Sequence, residues 1–387
     1  MKIPSLILFI VIISLGISPI DMRGTNSGKI QKKLPIINKE IQYPQKALNL
    51  KVEEKYIFLE TQKEILLDRG AHVYYVSDKK VLITNALKGD VFIFGMDGKA
   101  ISHFNQRGGY GYAFLSYALY DESNKEVFIA DHISKKIVVF TEEGALKRTL
   151  HIPSKMSIKE IYNFDENTLL AFHEHQYGEL TQSKPYLFIS KKDGSIISEL
   201  NIVKNRANSK ILNSGGVKFT SMNNYSGNCK FGNDFILANM SSDTIYLLKQ
   251  DKKLIPLFVQ QPSVFSDPPI ITSVGMKTDD FITFCVYPYD LKESRRKYEK
   301  DEKEVASDLR IRFLMYEFKT DKLFELEKRK YWAEKIDIPK NISIELLEPY
   351  ILKEWLKRGF LKGEMKEVAE KVNITDNPVL RITKFKL

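Results

Sequence analysis

Two stretches of the sequence share one pattern and decide the fold. Residues 81–104 read VLITNALKGDVFIFGMDGKAISHF, and residues 127–150 read VFIADHISKKIVVFTEEGALKRTL. In each stretch an apolar run ends in a polar residue, Asn85 or Asp131, and two further runs follow after short turns. Thirteen residues separate that polar residue from the glycine of the second turn in both stretches. The constant register predicts a structural unit that is repeated along the chain.

Three more copies of the unit follow. Residues 235–258 keep the spacing, with Asn239 at the polar position and a lysine in place of the glycine. Two copies with insertions place His173 and Cys285 at the polar position; the first is eight residues longer, and the second carries a long charged insertion after Tyr287. Turns such as MDGK, EEGA and KDGS are typical of hairpins, so each copy predicts a small antiparallel sheet.

Such sheets cannot bury both of their faces alone, but they can when they pack radially as blades. We therefore predict an all-β fold, a six-bladed β-propeller. The sixth blade is expected to combine N-terminal strands around ALNLKVEEKYIFLE with the C-terminal NPVLRITKFKL, which closes the ring and removes open sheet edges. Before that last strand, Met365, Val368, Ala369 and Val372 follow helical spacing, and this short helical segment is expected to pack on the propeller rim.

The N-terminal residues resemble an export signal. A lysine precedes an apolar run that is too short for an obvious membrane span, and small residues follow. We predict a signal peptide or N-terminal anchor at residues 1–20, a polar linker at 21–45 and the propeller at 46–387. The protein is expected in the periplasm or outside the cell, with membrane contact only if the first segment is retained. No cysteine follows the apolar run, so a lipid anchor on such a residue is not expected.

The charge distribution argues against a nucleic-acid partner, and the cysteine content leaves two possible states for the thiols. The formal net charge is +10 at pH 7, but basic residues are mixed with acidic ones, as in KESRRKYEKDEKEVASD. Nucleic-acid binding needs a dense one-sided basic patch, so we expect no nucleic-acid partner. The two cysteines, Cys229 and Cys285, are expected either to pair in an exported protein or to be buried thiols.

The repeats also resemble a known group of proteins. VFIADHISKKIVVFTEEG and VLITNALKGDVFIFGMDGK resemble NHL-type propeller blades. The longer run from Lys55 to Phe114 is similar to six-bladed, TolB-like propellers exported by Bacteroidetes, and QRGGYGYAF stands where that family often has a segment like RGGGPGEY. The proline and the glutamate of that segment are missing here. The resemblance implies a fold and a compartment, and it supplies no catalytic motif.

The glycine-rich QRGGYGYAF connects the first two blades in this register. It does not predict a dinucleotide loop, because the pair Gly109 and Gly111 lacks the third glycine of a G-x-G-x-x-G motif and a strand follows instead of a helix. Its glycines are expected to permit a tight turn with positive φ. Arg107, Tyr110 and Tyr112 are therefore candidates either for ligand contact or for joining two blades.

The residues FHEHQ are the sharpest candidate for metal chemistry. His173 and His175 alternate, so an extended strand points both imidazoles to one side, where they could hold zinc or a similar divalent metal. Asp131 and His132 hold the matching place in the neighbouring blade and could contribute. The alternative is that these are polar side chains at the channel mouth. No cofactor is predicted beyond this weak metal site.

The insertions after His173 and Tyr287 and the connections at 105–114 and 205–227 fall on one face of the predicted propeller. Loops that lengthen at one end of a rigid scaffold are where binding is usually found. No G-x-S-x-G, H-E-x-x-H or P-loop motif occurs, and the repeated polar positions hold too few acids for a calcium-centred enzyme. We predict a non-enzymatic binding scaffold for a protein, peptide or glycan. The alternative is a metal-dependent hydrolase or lyase with its site at the channel mouth.

Overall fold

The computed structural model shows a six-bladed β-propeller that is built from short antiparallel sheets, as the sequence predicts. One compact unit covers Leu34–Leu387. The structure describes residues 36–38, 41–46, 51–153, 156–175, 184–202, 211–214, 217–220, 227–238, 242–264, 266, 270–288, 311–326 and 341–386.

The described part of the chain begins with two strands, β1 (Ile36–Asn38) and β2 (Lys51–Phe58), which join later blades. Blades 1 to 3 then follow one another, and each has four antiparallel strands in chain order, with the first strand nearest the propeller axis. Blade 1 contains β3 (Ala71–Val76), β4 (Lys80–Asn85), β5 (Asp90–Gly95) and β6 (Ala100–Asn105). Blade 2 contains β7 (Tyr117–Asp121), β8 (Glu126–Asp131), β9 (Lys136–Thr141) and β10 (Leu146–His151). Blade 3 contains β11 (Met156–Asn163), β12 (Thr168–His175), β13 (Tyr186–Ser190) and β14 (Ile196–Glu199).

Blades 4 and 5 repeat this arrangement after a separate two-stranded hairpin of β15 (Ile211–Ser214) and β16 (Val217–Thr220). Blade 4 contains β17 (Cys229–Phe231), β18 (Asp234–Leu237), β19 (Thr244–Leu248) and β20 (Leu254–Gln261). Blade 5 contains β21 (Ile270–Lys277), β22 (Phe281–Pro288), β23 (Arg312–Glu317) and β24 (Lys322–Leu326).

The sixth blade closes the ring with both ends of the chain, as predicted. Its described strands are β25 (Ile342–Leu347), β26 (Val379–Lys386) and the N-terminal β2, which pairs with β26 along its whole length. Phe58 at the end of β2 packs on Gly98 of blade 1. Phe104 packs on Gly144 of the next blade in the same way, so β2 takes the outer position of blade 6 that β6 takes in blade 1.

The two ends of the blades differ in what they carry. In blade 1, Asn85, Asp90 and Asn105 are paired side by side at one end. The turn between the second and third strands leaves from this end, and so does the connection from the outer strand to the next blade. We call this end of every blade the upper face. The predicted insertions after His173 and Tyr287 lie outside the described residues, but they join strands whose facing ends lie on the upper face.

Two short helices, α1 (Pro349–Lys357) and α2 (Gly363–Lys371), connect β25 to β26. Asn377, which follows α2, accepts a hydrogen bond from the Leu67 N–H at 2.8 Å. The next N–H along the chain, that of Asp68, donates to Asn85 at the upper end of blade 1 (3.0 Å). The helical segment is therefore on the upper face, which the sequence did not predict. Val368 and Ala369 of α2 are buried, as their spacing predicts.

The chain before β2 runs along the outside of two blades. Strand β1 adds to the outer strand β20 of blade 4 in parallel register. Gln45 then forms a parallel bridge with Glu325 of β24 in blade 5, and the Lys46 Nζ binds the Glu317 carboxylate at 2.5 Å. The β1 pairing and the Gln45 bridge fall inside the segment that we predict to be a linker, and Lys46 directly follows it. Residues 36–38 and 45–46 therefore bind the propeller.

Aromatic rings connect the first four blades near the axis. Tyr74 of blade 1 meets Tyr117 of blade 2 edge-to-face, with ring centroids 4.9 Å apart. Tyr117 meets Tyr162 of blade 3 at 5.9 Å, and Tyr162 meets Phe235 of blade 4 at 5.8 Å. Edge-to-face pairs add to the hydrophobic burial between the sheets. Cys229 and Cys285 are both buried thiols, and burial raises the pKa of Cys229 to about 12.

Closure of the ring depends on a glycine. A Cβ atom on Gly98 would lie 2.0 Å from the Phe58 carbonyl oxygen, and its φ is +83°. Gly108 has a similar φ of +90° but open space around it, so it is a matched control. We expect Gly108→Ala to cost about 1–2 kcal/mol for its left-handed backbone, and Gly98→Ala to cost about 1–3 kcal/mol more because the neighbouring strand must move. Urea unfolding of both variants measures this difference, and equal losses would contradict the role of Gly98 at the seam.

Candidate functional site

The loop between blades 1 and 2 is the centre of the candidate site. Arg107 holds it to blade 1, because its Nη1 donates to the Leu87 carbonyl at 2.6 Å and its Nε donates to the Ala113 carbonyl at 3.2 Å. Tyr112 is fully buried and its hydroxyl donates to the Gly89 carbonyl at 2.5 Å. Burial raises the pKa of Tyr112 to about 12. The polar atoms of both residues thus bind the protein's own backbone.

The three glycines of this loop have different roles. Gly108 and Gly109 have φ of 90° and 50°, which confirms the predicted positive-φ turn at these two positions. Gly111 lacks a positive φ and is needed for space, since a Cβ there would lie 1.7 Å from the Gln106 carbonyl oxygen. The result is a compact loop that leaves the Tyr110 side chain 89% exposed.

Asp131 holds the same loop to blade 2. Its carboxylate accepts hydrogen bonds from the backbone N–H groups of Ala113 (2.7 Å), Ile133 (3.0 Å) and Ser134 (3.1 Å). Burial alone would raise the pKa of this carboxyl, but the N–H groups of Ser134 and Ala113 hold it below the ordinary value. Asn85 has the same role in blade 1, where its side-chain oxygen accepts a hydrogen bond from the Asp68 N–H. The repeated polar position therefore fixes the incoming loop of each of these blades.

His132 is hydrogen-bonded to Ser116, which lies between the loop and the first strand of blade 2. Its Nδ1 lies 2.5 Å from the Ser116 Oγ, and its backbone N–H donates to the same Oγ at 3.1 Å. Phe114 meets the imidazole edge-to-face with ring centroids 5.4 Å apart. Burial, with a smaller repulsion from Lys159, lowers the pKa of His132, which keeps the ring neutral at neutral pH.

This environment predicts a pH effect on stability. The unfolded chain takes up a proton at the ordinary imidazole pKa of about 6.5, whereas folded His132 takes it up only at lower pH. The stability that neutral His132 contributes is therefore fully present above the pKa of the unfolded chain. It is lost as the pH falls toward the lower pKa of folded His132. We expect His132→Asn to flatten the loss of unfolding free energy between pH of about 7.5 and 5.5. His151→Asn is the control, because it removes an exposed imidazole. If His132→Asn loses as much unfolding free energy over this pH range as the wild type, the neutral state of His132 does not contribute to stability.

His173 lies in blade 3 and is nearly fully buried. Its Nε2 donates to the Lys184 carbonyl at 2.9 Å, and its backbone N–H donates to Pro185. The side chain of His175 lies outside the described residues. Across the part of the chain that the structure describes, no group of three or more His, Cys, Asp or Glu side chains could hold a metal ion. A metal at His173 and His175 stays a prediction, which elemental analysis of purified protein can test.

Exposed apolar side chains mark the upper face beside this frame. Leu87 is 73% exposed in the turn between the second and third strands of blade 1, and Ile133 is 61% exposed in the equivalent turn of blade 2. Tyr110 belongs to the loop that joins these two blades. We call Leu87, Tyr110 and Ile133 the apolar row. Sequence reasoning found only Tyr110, although the signal was present: in both repeats an apolar residue stands two positions after the polar one, where no turn requires it.

A comparison with known protein families decides the identity. The family described as Domain of unknown function (DUF4934) matches residues 37–384, which is nearly the whole propeller. The chain belongs to the DUF4934 family. The match begins within β1. No curated protein matches this DUF4934 chain.

Comparison of this DUF4934 protein with solved structures finds similar chains at low sequence identity. A Bacteroides fragilis protein named "Putative exported protein" has 14% identity and a TM-score of 0.61, with 91% of this chain and 100% of that chain covered. A DUF4221 family member from Bacteroides vulgatus has 9% identity and a TM-score of 0.49 (87% and 98% covered). Virginiamycin B lyase from Staphylococcus aureus has 12% identity and a TM-score of 0.40 (87% and 100% covered). The first likeness shows the fold alone. Among the described residues, no helix is long and apolar enough to cross a bilayer.

Proposed function

We propose that this DUF4934 propeller is a binding scaffold and that the apolar row on its upper face contacts a peptide or an extended protein segment. The observation that supports the proposal is a set of three exposed apolar side chains on a hydrogen-bonded frame in which Tyr112 and Asp131 are buried. Arg107 fixes the backbone of Leu87, and Asp131 fixes the backbone of Ile133. Side chains that serve only as solvent-facing turn residues do not need such fixed backbones.

The frame favours binding because it is already ordered before a ligand arrives. Ordering of an interface side chain costs about 0.5–1.5 kcal/mol on association. The backbones of the apolar row are fixed by folding, so this part of the cost is smaller here. Tyr110 adds a large ring with few rotatable bonds, which gives contact area at little entropic cost.

The chemistry of the row favours a polypeptide over a glycan. The side chains of Leu87 and Ile133 offer neither donors nor acceptors. The nearby polar groups of Arg107 and Asp131 already bind the backbone of the loop. A partner therefore has to supply apolar side chains, as a peptide does.

Export of the protein is part of the same proposal. The apolar run within residues 1–20 has the form of a signal peptide, with a charged start and small residues after the core. The proposed site of action is the periplasm or the exterior of the cell. N-terminal sequencing of the mature protein tests this; a chain that still begins at Met1 would contradict cleavage.

A random-peptide phage library tests the binding proposal. We expect wild-type protein to enrich peptides with apolar residues, and the Leu87→Ser/Tyr110→Ala/Ile133→Ser variant to lose at least about tenfold in affinity for them. The matched control is Ile101→Ser/Leu146→Ser/Ile197→Ser, which removes three exposed apolar side chains from outer strands.

Thermal unfolding should be similar in wild type and both variants, since all six positions are exposed. Enrichment that survives the loss of the apolar row would contradict the site. Binding on a glycan array that depends on Tyr110, without peptide enrichment, would replace the peptide by a glycan.

A further inference from the structure

The segment between α1 and α2 carries an exposed aromatic side chain among cations. Residues 357–362 read KRGFLK, and we call them the basic turn. Phe360 is 65% exposed, whereas the next residue, Leu361, is buried. Lys357, Arg358 and Lys362 are all exposed around it. A phenyl ring that is held in water at a helix end has no evident role in the fold.

The charge of this region is one-sided, unlike that of the chain as a whole. Residues 350–362 contain four basic residues and one acid, Glu354, which is paired with Arg358. Trp355 of α1 is 39% exposed. Tyr350, at the start of α1, lies under the Arg69 guanidinium with 4.7 Å to the ring centroid. Three aromatic rings and several cations therefore share one short segment of the upper face.

The basic turn is presented by a rigid support. Leu352, Val368 and Ala369 of the two helices form a buried cluster with Leu361 of the basic turn, Val372 and residues that flank the helices in blade 6. Helix α1 ends at Lys357, and Gly359, with a φ of +71°, reverses the chain so that Phe360 follows in the turn. The exposed ring is thus fixed relative to the propeller.

We propose that the basic turn docks the propeller onto the surface of an anionic lipid bilayer. Aromatic rings are favoured at the headgroup level of a membrane, and cations next to it are attracted by anionic lipids. An amphipathic segment with Lys and Arg beside Trp and Phe binds in this plane without crossing the bilayer. The proposal concerns α1 and the basic turn, and it does not depend on the peptide site.

A local readout is needed, because the apolar residues 1–20 of the full chain can bind lipid themselves. The sequence has two tryptophans, Trp332 and Trp355. In a Trp332→Phe background, the fluorescence therefore reports on Trp355 alone. We expect a blue shift with vesicles of phosphatidylglycerol and phosphatidylcholine, quenching by lipids brominated near the headgroup, and no change with phosphatidylcholine alone.

Variants of the basic turn give the expected magnitudes. Each cation near an anionic surface contributes about fivefold in affinity, so Lys357→Gln/Lys362→Gln should weaken vesicle binding, followed by the Trp355 fluorescence, about 25-fold. Phe360→Ser should weaken it about tenfold or more, and Phe360→Tyr, which keeps an aromatic ring without adding a tryptophan, should restore it.

The controls remove the same chemistry elsewhere. Lys99→Gln/Lys192→Gln removes two exposed lysines from turns at the other end of the blades, and Ile197→Ser removes an exposed apolar side chain from an outer strand. We expect both to bind vesicles like the wild type. An equal Trp355 blue shift with neutral vesicles would overturn the proposal, and so would a Trp355 signal that does not depend on Phe360. Displacement of the vesicles by a single-stranded oligonucleotide would assign the turn to nucleic acid instead.

Discussion

Removal of residues 379–387 will leave a chain that cannot fold cooperatively. Strand β26 pairs with β2 on one side and with β25 on the other, so its loss opens one edge of each of these two strands. It also removes four buried apolar side chains: Val379, Leu380, Ile382 and Phe385. Their burial contributes about 6–12 kcal/mol together, and the whole folding stability of a domain is about 5–15 kcal/mol.

The measurement is urea unfolding followed by circular dichroism in the near ultraviolet. We expect no cooperative transition for the truncated chain. Addition of a synthetic peptide of residues 377–387 should restore one, because the peptide can insert between the two open edges. A peptide of the same composition in scrambled order is the control. A truncated chain that unfolds at the midpoint of the wild type would show that the ring does not depend on this closure.

The fold was predictable because each repeat contains its own pattern. The first two apolar runs in 81–104 and in 127–150 are buried on both faces of their sheets, and the turns after them need glycine or another residue with positive φ. Both requirements leave a mark in the sequence. The composite sixth blade was predictable as well, because a closed ring of sheets is completed when strands from the two ends of the chain pair in one blade.

Two parts of the fold could not be predicted from the sequence. Strand β1 is three residues long and adds to β20 through backbone hydrogen bonds, which almost any sequence can form. The side of the propeller on which α1 and α2 lie depends on distant contacts, such as Asn377 with Leu67 and Asp68 with Asn85. Spacing within the helices cannot report such contacts.

The candidate site was found in part. Arg107, Tyr112, Asp131 and His132 lie together around one loop. The sequence placed Arg107 and Tyr112 between the two blades, whereas it predicted Asp131 and His132 as possible contributors to a site at His173 and His175. The polar atoms of the four residues around the loop bind the loop itself, which no single sequence reveals, because a polar residue for a ligand and one for a backbone N–H look alike. Leu87 and Ile133 were missed because isolated exposed apolar residues are common on protein surfaces.

Loss of the Lys191 ammonium will cost far more stability than loss of an exposed partner. Lys191 of blade 3 lies 2.7 Å from the Asp121 carboxylate of blade 2, and the two side chains are 6% and 5% exposed. Lys191→Met leaves a buried carboxylate without its cation, which costs about 3–5 kcal/mol. Lys366→Met breaks a pair with Glu370 that is more than half exposed, and it should cost about 0.2–1 kcal/mol.

The double variant Asp121→Leu/Lys191→Met separates the two causes of this loss. If the cost comes from the unpaired carboxylate, removal of both charges should recover most of the stability, because a buried pair is often replaced by apolar residues at little cost. If Lys191 acts through its stem and backbone contacts, the double variant should be as unstable as the single one. The free energies of unfolding of the three variants, measured in urea, distinguish these results. Recovery would mean that the Lys191–Asp121 pair contributes little net stability between blades 2 and 3. It would also mean that each charge is tolerated in the interior only because the other is present.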